Sequence, residues 1–388
     1  MSQPSPFTFT TAAVKRGADW LRGQGADSDV VVSSRVRLAR NLVGFPFLTR
    51  ASRPQRQAIV DLCRERLLAA GAIGAQQMIW VDVQAAPPLD RTLMVERHLI
   101  SKEHARGLVP GQPPRPDAPP PADKETNSGE PRGVAISLPD ETLSVMVNEE
   151  DHLRLQVLRS GLELSAAFEH IDRVDDLLEG LCPATGGELA YAFAPRFGYL
   201  TACPTNVGTG IRVSVMLHLP ALKLAGEMDK VRRATRDMAL AVRGYYGEGS
   251  DALGEFFQIS NQTTLGRAER EILHEFEREI IPQIIRYERE ARRHLLEKRR
   301  RLIEDKVFRA LGALRHARLL TPEEALALLS DVRLGIVTGL IREVTEQDVN
   351  QLILLTQPAH LQRILGRDMD QGERREARAD LVRERLAI

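Results

Sequence analysis

Residues 33–41 read SSRVRLARN and follow three consecutive valines at 30–32. The valines predict a buried strand, because β-branched residues favour extended backbone. On an extended chain Arg35 and Arg37 point to the same side, since side chains alternate along a strand. Two guanidinium groups on one face can hold an oligophosphate through paired hydrogen bonds, and the alternative is a solvated strand edge.

The rest of the first 266 residues mixes strand and helix patterns. Apolar spacing predicts a helix over 53–70. Strands are predicted at 78–83, 143–147, 189–194, 211–217, 241–246 and 255–260, and helices at 151–160, 162–181 and 222–240. The mixture predicts an α+β domain built around a sheet.

Two changes of composition divide the chain. Residues 107–133 are rich in proline, which predicts a disordered insertion inside the first domain, with an interdomain linker as the alternative. After Gly266 the sequence is dense in Glu, Arg and Leu at helical spacing. We therefore predict one domain over 1–266 and a second, all-helical domain over 267–388.

Composition narrows the class of protein. The 388 residues contain 53 Lys+Arg and 53 Asp+Glu, so no overall charge attracts the chain to nucleic acid or to a membrane. Neither a bilayer-spanning apolar run nor a secretory signal is found in the sequence. The three cysteines give no disulfide framework and no metal-binding cluster. A reduced, cytoplasmic enzyme is predicted.

An acidic segment, NEEDHLR at 148–154, follows the predicted strand at 143–147. Adjacent carboxylates at a strand end are suited to bind or deprotonate a cation. The alternative is the start of a helix, where acidic residues favour the macrodipole.

Two glycine-containing segments follow, CPTNVGTGIR at 203–212 and RGYYGEGS at 243–250. The first predicts a tight turn that a ligand can approach, and Cys203 within it is either a reactive thiol or a packed one. A Walker motif is absent from the sequence. The candidate phosphate ligands are therefore arginines and not the lysine of a Walker motif. They are Arg35, Arg37, Arg154, Arg212 and Arg243.

These four segments, in this order, resemble the signature segments of the phosphagen kinases, the creatine- and arginine-kinase superfamily. The segment FQISNQTTLG, which ends at Gly266, resembles a later strand and turn of that family. The segments at 94–101, 215–222 and 330–336 are similar to the bacterial protein-arginine kinase branch. The resemblance implies an antiparallel sheet flanked by helices, with ATP and Mg²⁺ as cofactors.

The resemblance also implies an activity, the transfer of the ATP γ-phosphate to arginine side chains in proteins. Only 32 residues precede Ser33, where metabolite kinases carry a helical domain, so a more open site is expected. The rival hypotheses are a metabolite kinase that acts on free arginine and a non-catalytic adaptor.

Site residues carry over by resemblance. Glu150 would be the base, Glu248 would hold the other face of the guanidinium, and Cys203 would tune its charge. Mg²⁺ would bind through phosphates and water, with no dedicated protein cage. The implied ATP contacts are Ser33, Ser34, Arg35, Val36, Arg37, His98, Arg154, Arg212, Val213, Ser214, Val215, Met216, Arg243, Gly244, Tyr245, Tyr246, Gly247 and Glu248.

Regulation and partners are implied in the same way. The helical domain would form a homodimer, and the enzyme would serve protein quality control and the stress response with a zinc-containing activator and a Clp-type protease. The family's RDxxRA motif, which reads phosphoarginine allosterically, aligns with RREARA at 374–379. Arg374 and Arg378 could contact phosphate, but Arg375 replaces the acid. The alternative is a solvated basic helix face.

Overall fold

A computed structural model describes residues 8–71, 77–107, 129–180, 189–237, 240–244 and 253–387. The strands are β1 (Val31–Arg40), β2 (Gln77–Asp82), β3 (Gly133–Leu138), β4 (Leu143–Val147), β5 (Leu153–Ser160), β6 (Phe193–Ala194), β7 (Gly198–Tyr199), β8 (Ile211–His218), β9 (Leu240–Gly244) and β10 (Phe256–Asn261). The helices are α1 (Thr11–Lys15), α2 (Arg53–Gly71), α3 (Pro88–Glu96), α4 (Lys102–Arg106), α5 (Leu164–Glu179), α6 (Pro220–Leu224), α7 (Met228–Asp237), α8 (Glu269–His274), α9 (Ile281–His316), α10 (Pro322–Val337), α11 (Glu346–Leu355), α12 (Pro358–Leu365) and α13 (Gln371–Leu386).

The centre of the molecule is an eight-stranded sheet in the order β2-β3-β4-β5-β1-β8-β10-β9. Every neighbouring pair in it runs antiparallel. The predicted α+β class, an antiparallel sheet flanked by helices, is confirmed. The SSRVRLAR stretch lies inside central strand β1, so it is not the solvated strand edge of the alternative hypothesis.

The two faces of the sheet are covered differently. Helices α2 and α5 pack on one face, where Val36 and Leu38 of β1 are buried in the main apolar core. On the other face, α3 covers the β2–β3–β4 end, where Met94 and Ile136 belong to a second buried cluster. The middle of that second face carries polar side chains, and we call it the open face.

The helix predicted over 151–160 is wrong, because these residues include β5. Leu155 and Val157 are buried on the helix-covered face, while Arg154 and Gln156 alternate with them. This period of two is typical of a strand. The acidic residues before it form a turn between β4 and β5 and do not begin a helix.

Other boundaries shift as well. The helix predicted over 222–240 is two helices, α6 and α7, and the strand predicted at 189–194 is reduced to the two residues of β6. Residues 108–128 of the predicted insertion lie outside the described residues. At its end Arg132 is buried and donates through Nε to the carbonyl of His104 at 2.7 Å, and Gly133 opens β3.

The C-terminal residues form helices α8 to α13, as predicted, and they contact the sheet domain. The Glu96 carboxylate at the end of α3 accepts hydrogen bonds from the backbone N–H groups of Ala359 and His360, at 2.9 and 3.1 Å. It also bonds Nδ1 of His360 at 2.6 Å. Thus α3 holds the N-terminus of α12. In the part of the chain that is described, no helix combines the length and apolarity needed to cross a membrane.

Candidate active site

A row of polar side chains crosses the open face. Ser33, Arg35 and Arg37 lie on this face of β1, since they alternate with buried residues of the helix-covered face. The register places Arg35 opposite Ser214 of β8 and Arg37 opposite Arg212. Directly opposite residues in an antiparallel pair share a face. The predicted same-side placement of Arg35 and Arg37 is confirmed, and Arg212 joins them.

The guanidinium groups of this row act on one another. Burial lowers the pKa of Arg37 well below its usual value, and the charges of Arg35, Arg154 and Arg212 lower it further. The Nε atom of Arg37 is buried and has no hydrogen-bond partner among the described residues. An anion with several oxygens would satisfy this donor and offset the repulsion. The row therefore has the chemistry of an oligophosphate site.

Four of the predicted ATP contacts point away from this row. Val36, Val213 and Val215 are buried in the core on the helix-covered face. Ser34 lies there too, where its hydroxyl donates to the Gly161 carbonyl at 2.7 Å and accepts from the N–H of Glu163 at 3.0 Å. These side chains therefore do not face the row, because neighbouring residues of a strand point to opposite sides. The contact of these four residues with ATP stays a prediction.

A cavity adjoins the row at its Ser33 end. It encloses about 310 Å³, a volume that includes open solvent at its mouth. The lining residues are Trp20, Ser33, Arg35, His98, Leu158, Ser214, Met216 and Gln258. The structure thus brings His98 together with the Ser33, Ser214 and Met216 predicted from other segments.

His98 enters the cavity from the end of α3, with a left-handed backbone (φ 59°). Its carbonyl accepts a hydrogen bond from Nε2 of Gln156 at 2.6 Å, which fixes this turn to β5. Burial and the nearby charge of Arg35 lower the pKa of His98 to about 3. The ring is therefore neutral at physiological pH, which suits contact with an uncharged part of a ligand.

Glu149 lies where the row meets the acidic turn. Its carboxylate is buried, pairs with Arg154 at 2.6 Å and accepts a hydrogen bond from Ser101 at 2.6 Å. Burial alone would raise the pKa of Glu149, but the charge of Arg154 and the hydrogen bonds from Arg154 and Ser101 together lower it to about 2. Arg154, predicted as a phosphate ligand, therefore also has a protein partner that the sequence did not predict.

The carboxylate of Glu150 differs from those of Glu149 and Asp151 in its hydrogen bonding. Its N–H donates to Oε2 of Glu149 at 2.9 Å, and its half-buried carboxylate has no hydrogen-bond or ion-pair partner within the described ranges. Burial raises the pKa of Glu150, and the charges of Asp151 and Glu149 raise it further. A carboxylate that is unpaired and more basic than usual is suited to accept a proton.

Asp151 connects the acidic turn to the loop that carries Cys203. Its carboxylate accepts hydrogen bonds from Nδ2 of Asn41 and from the N–H of Ala202, both at 2.6 Å. The Sγ atom of Cys203 lies 3.0 Å from Oγ1 of Thr205, and the thiol is partly exposed. The turn of Glu150 and the loop of Cys203 are thus held side by side.

Comparison with known proteins identifies the family of this chain. Residues 60–291 match the family model of the ATP:guanido phosphotransferase C-terminal catalytic domain, and residues 300–388 match that of the protein-arginine kinase McsB C-terminal domain. The protein-arginine kinase of Symbiobacterium thermophilum is 44% identical over 95% of this chain and 96% of its own length. That of Halothermothrix orenii is 41% identical over 96% and 97%. The chain belongs to the protein-arginine kinase family.

Solved structures agree on the fold. A lombricine kinase superimposes with a TM-score of 0.54 at 22% identity, over 74% of this chain and 72% of its own. The duplicated taurocyamine kinase of Schistosoma mansoni gives 0.53 at 24%, over 74% and 36%. The predicted membership of the phosphagen kinases and the predicted kinase class are both confirmed, and the family match implies the use of ATP.

One predicted segment is only partly described. Tyr245, Tyr246, Gly247 and Glu248 lie outside the described residues. The backbones of Arg243 and Gly244 lie in β9, opposite Gln258 and Phe257 of β10. Gln258 lines the cavity, so the backbone of Arg243 lies beside a residue of the candidate nucleotide site.

The two candidate phosphoarginine-sensing residues have structural partners. Arg378 is buried and donates to the carbonyls of Thr356 at 2.7 Å and Leu320 at 2.8 Å. Arg374 donates to the carbonyl of Met369 at 2.6 Å, while Arg375 is exposed. A fully solvated basic face is therefore excluded for Arg378, and its contacts tie the end of α11 to α13.

Sequence reasoning missed Trp20, Gln258 and Ser101. Trp20 reaches the cavity from the short segment before β1 and Gln258 from β10, and Ser101 supports Glu149 from the start of α4. Ser101 and Gln258 lie in segments that resemble the family, but no local signal distinguishes these two side chains within them. Trp20 lies in no such segment.

Proposed function

We propose that this chain transfers the γ-phosphoryl group of ATP to arginine side chains of protein substrates. The row of guanidinium groups that leads from the cavity to Glu150 carries this proposal. From Ser33 to Arg37 the strand advances by about 13 Å, at ~3.3 Å per residue. This span is comparable with that of an extended ATP from base to γ-phosphorus. The base would lie in the cavity, and the phosphates would lie along the row.

Arg35, Arg37 and Arg212 would hold the triphosphate, with Arg154 and Arg243 at its sides. In the transition state, negative charge spreads over the equatorial oxygens of the transferred group, and preorganised guanidinium donors stabilise it. Mg²⁺ would neutralise part of the phosphate charge. The ion would be held through phosphates and water, since Glu149 and Asp151 already have partners in the protein.

Glu150 would accept the proton that the substrate arginine must lose. A free guanidinium has a pKa above about 12 and is a poor nucleophile. As its nitrogen forms the P–N bond, its proton passes to Glu150 and the P–O bond to the β-phosphate breaks, releasing ADP. Glu248 would hold the other face of the guanidinium. Cys203 would lie beside the guanidinium and tune its charge without covalent attack.

We further propose the wider role that the family resemblance implies. Residues 1–266 would form the catalytic domain, and residues 267–388 would mediate homodimerisation and regulation. The match of residues 300–388 to a domain named for protein-arginine kinases supports a separate C-terminal unit, while the match to the catalytic-domain model runs to residue 291, beyond the proposed boundary at 266. Phosphorylated clients would pass to a Clp-type protease in the cytoplasm, with a zinc-containing activator. Phosphoarginine sensing at Arg374 and Arg378 would have to work without the acid that Arg375 replaces.

The test is mass spectrometry of a loosely folded, arginine-rich protein after incubation with Mg-ATP, under non-acidic conditions that preserve P–N bonds. Phosphoarginine is expected with the wild-type enzyme. Glu150→Gln should lower kcat by about 10²- to 10⁴-fold. Glu169→Gln is the matched control, because Glu169 is exposed on α5.

Other outcomes would point elsewhere. Phosphorylation of free arginine alone would indicate a metabolite kinase. Binding of ATP and protein without turnover would indicate an adaptor. Equal activity of the two glutamine variants would remove Glu150 from the mechanism.

A further inference from the structure

Trp20 lies in the cavity although no motif marks it as a site residue. It belongs to a short 3₁₀-helix, Asp19–Leu21, that precedes β1. Its ring lines the cavity beside Ser33 and Arg35 and stands perpendicular to the ring of His98, with centroids 4.9 Å apart. The N-terminal segment thus supplies a wall of the candidate nucleotide site.

The indole N–H of Trp20 has no hydrogen-bond partner among the described residues. The residue is only 4% exposed, and Nε1 is buried with no hydrogen-bond partner in the part of the chain that the structure describes. Buried tryptophan N–H groups usually find a partner, and an unsatisfied one calls for an explanation such as a bound ligand. The indole that carries this donor lines the cavity, so a ligand bound there would lie against it.

The neighbours of Trp20 indicate which part of a nucleotide it meets. Leu158 and Met216 give apolar walls, Gln258 adds an amide, and His98 is neutral. Such a lining suits an uncharged, flat heterocycle with its sugar. The phosphates belong further along β1, where Arg37 and Arg212 face each other.

We propose that Trp20 is a nucleotide-binding residue, whose indole N–H donates a hydrogen bond to an acceptor on the nucleoside half of ATP. The acceptor is a ring nitrogen of the base or an oxygen of the ribose. The inference rests on the proposed function only in taking ATP as the phosphoryl donor, and the acceptor arginine does not enter it.

Trp20→Phe tests the proposal, because phenylalanine keeps an aromatic ring and removes the donor. The dissociation constant of Mg-ATP, measured by calorimetry without any acceptor protein, should rise about two- to tenfold. In the kinase assay KM for ATP should rise by the same factor, with kcat unchanged. A Trp20→Phe variant with the wild-type thermal midpoint and the wild-type dissociation constant overturns the proposal.

Trp80→Phe is the matched control, since Trp80 is the other of the two tryptophans and packs against Gly133 in β3. It should bind Mg-ATP like wild type. It also leaves Trp20 as the sole tryptophan, so its fluorescence should change saturably with Mg-ATP and not with inorganic triphosphate. Equal responses to both would place the indole outside the nucleoside contacts and overturn the proposal.

Nucleotide analogues identify the acceptor. The panel is 1-deaza-, 3-deaza- and 7-deaza-ATP, each lacking one ring nitrogen, with 2′-deoxy- and 3′-deoxy-ATP for the ribose. For one of them the penalty of Trp20→Phe should disappear, whereas an equal penalty for all five overturns the proposal. Tryptophan-dependent ATP binding without phosphoarginine would support this inference and refute the proposed function. If phosphoarginine forms but Trp20→Phe binds Mg-ATP as tightly as wild type, the proposed function is supported and this inference is refuted.

Discussion

Glu149→Gln is expected to destabilise the free enzyme strongly at neutral pH. Burial opposes ionisation of this carboxyl, but the charge of Arg154 and the hydrogen bonds from Arg154 and Ser101 lower its pKa from an ordinary 4.5 to about 2. That difference corresponds to about 3 kcal/mol of folding free energy above pH 4.5. Glutamine keeps the shape but leaves the Arg154 charge buried among like charges, a change that costs about 3–5 kcal/mol in other proteins.

The assay is thermal unfolding at pH 7 without nucleotide. A loss of about 3 kcal/mol lowers the midpoint by about 6–12 °C for a domain of this size. Because the folded pKa is depressed, the contribution is present above pH 4.5 and is lost as pH falls towards 2, so the gap to wild type should narrow in acid. Glu103→Gln, at an exposed acid of α4, is the control.

Nucleotide should partly reverse the defect. A bound triphosphate supplies negative charge near Arg154, so Mg-ATP should raise the midpoint of Glu149→Gln by more than that of wild type. A midpoint drop below about 3 °C, or a gap that does not change with pH, would refute the pairing of Glu149 and Arg154 as the source of the depressed pKa.

Three further changes have defined outcomes. The acidic limb of kcat/KM should lie above pH 4.5, because burial and the neighbouring carboxylates raise the pKa of the Glu150 base; a limb at or below that value would contradict its role. Asp151→Asn should lower kcat about tenfold or more while the affinity for Mg-ATP changes little, since Asp151 anchors the loop of Cys203 and does not contact the nucleotide. Steady-state kinetics and a parallel binding titration measure the two quantities, and a large loss of affinity would contradict this role. Arg378→Ala should lower the thermal midpoint through a loss of about 2–4 kcal/mol, because two buried carbonyls lose their donor; a midpoint within 1 °C of wild type would show that water replaces the guanidinium.

Local sequence predicted the parts of the site that depend on strand alternation. Arg35 and Arg37 share a face because they are two residues apart on β1, and spacing alone determines this. The same rule, had it been applied to 153–160, would have given β5 in place of a helix. It would also have assigned Ser34 and Val36 to the opposite face.

The remaining parts depend on tertiary contacts that spacing does not encode. The low pKa of Glu149 requires Arg154 and Ser101, which reach it from β5 and α4. Trp20 and His98 are far apart in the sequence. Their rings come into contact only because the end of α3 lies beside the 3₁₀-helix that precedes β1. Such contacts follow from how elements pack, and a single sequence does not report them.

The hydrogen bonds between Glu96 and α12 limit where this chain can be truncated. His98, which lines the cavity, follows Glu96 by two residues. The same short turn therefore contacts both the C-terminal helices and the nucleotide pocket. A chain cut at residue 266 would lose three donors to that carboxylate and uncover the surface beneath them. Residues 267–388 are therefore not independent of the catalytic domain. An exchange of these helices between distant relatives would also have to exchange the residue at position 96 that binds them.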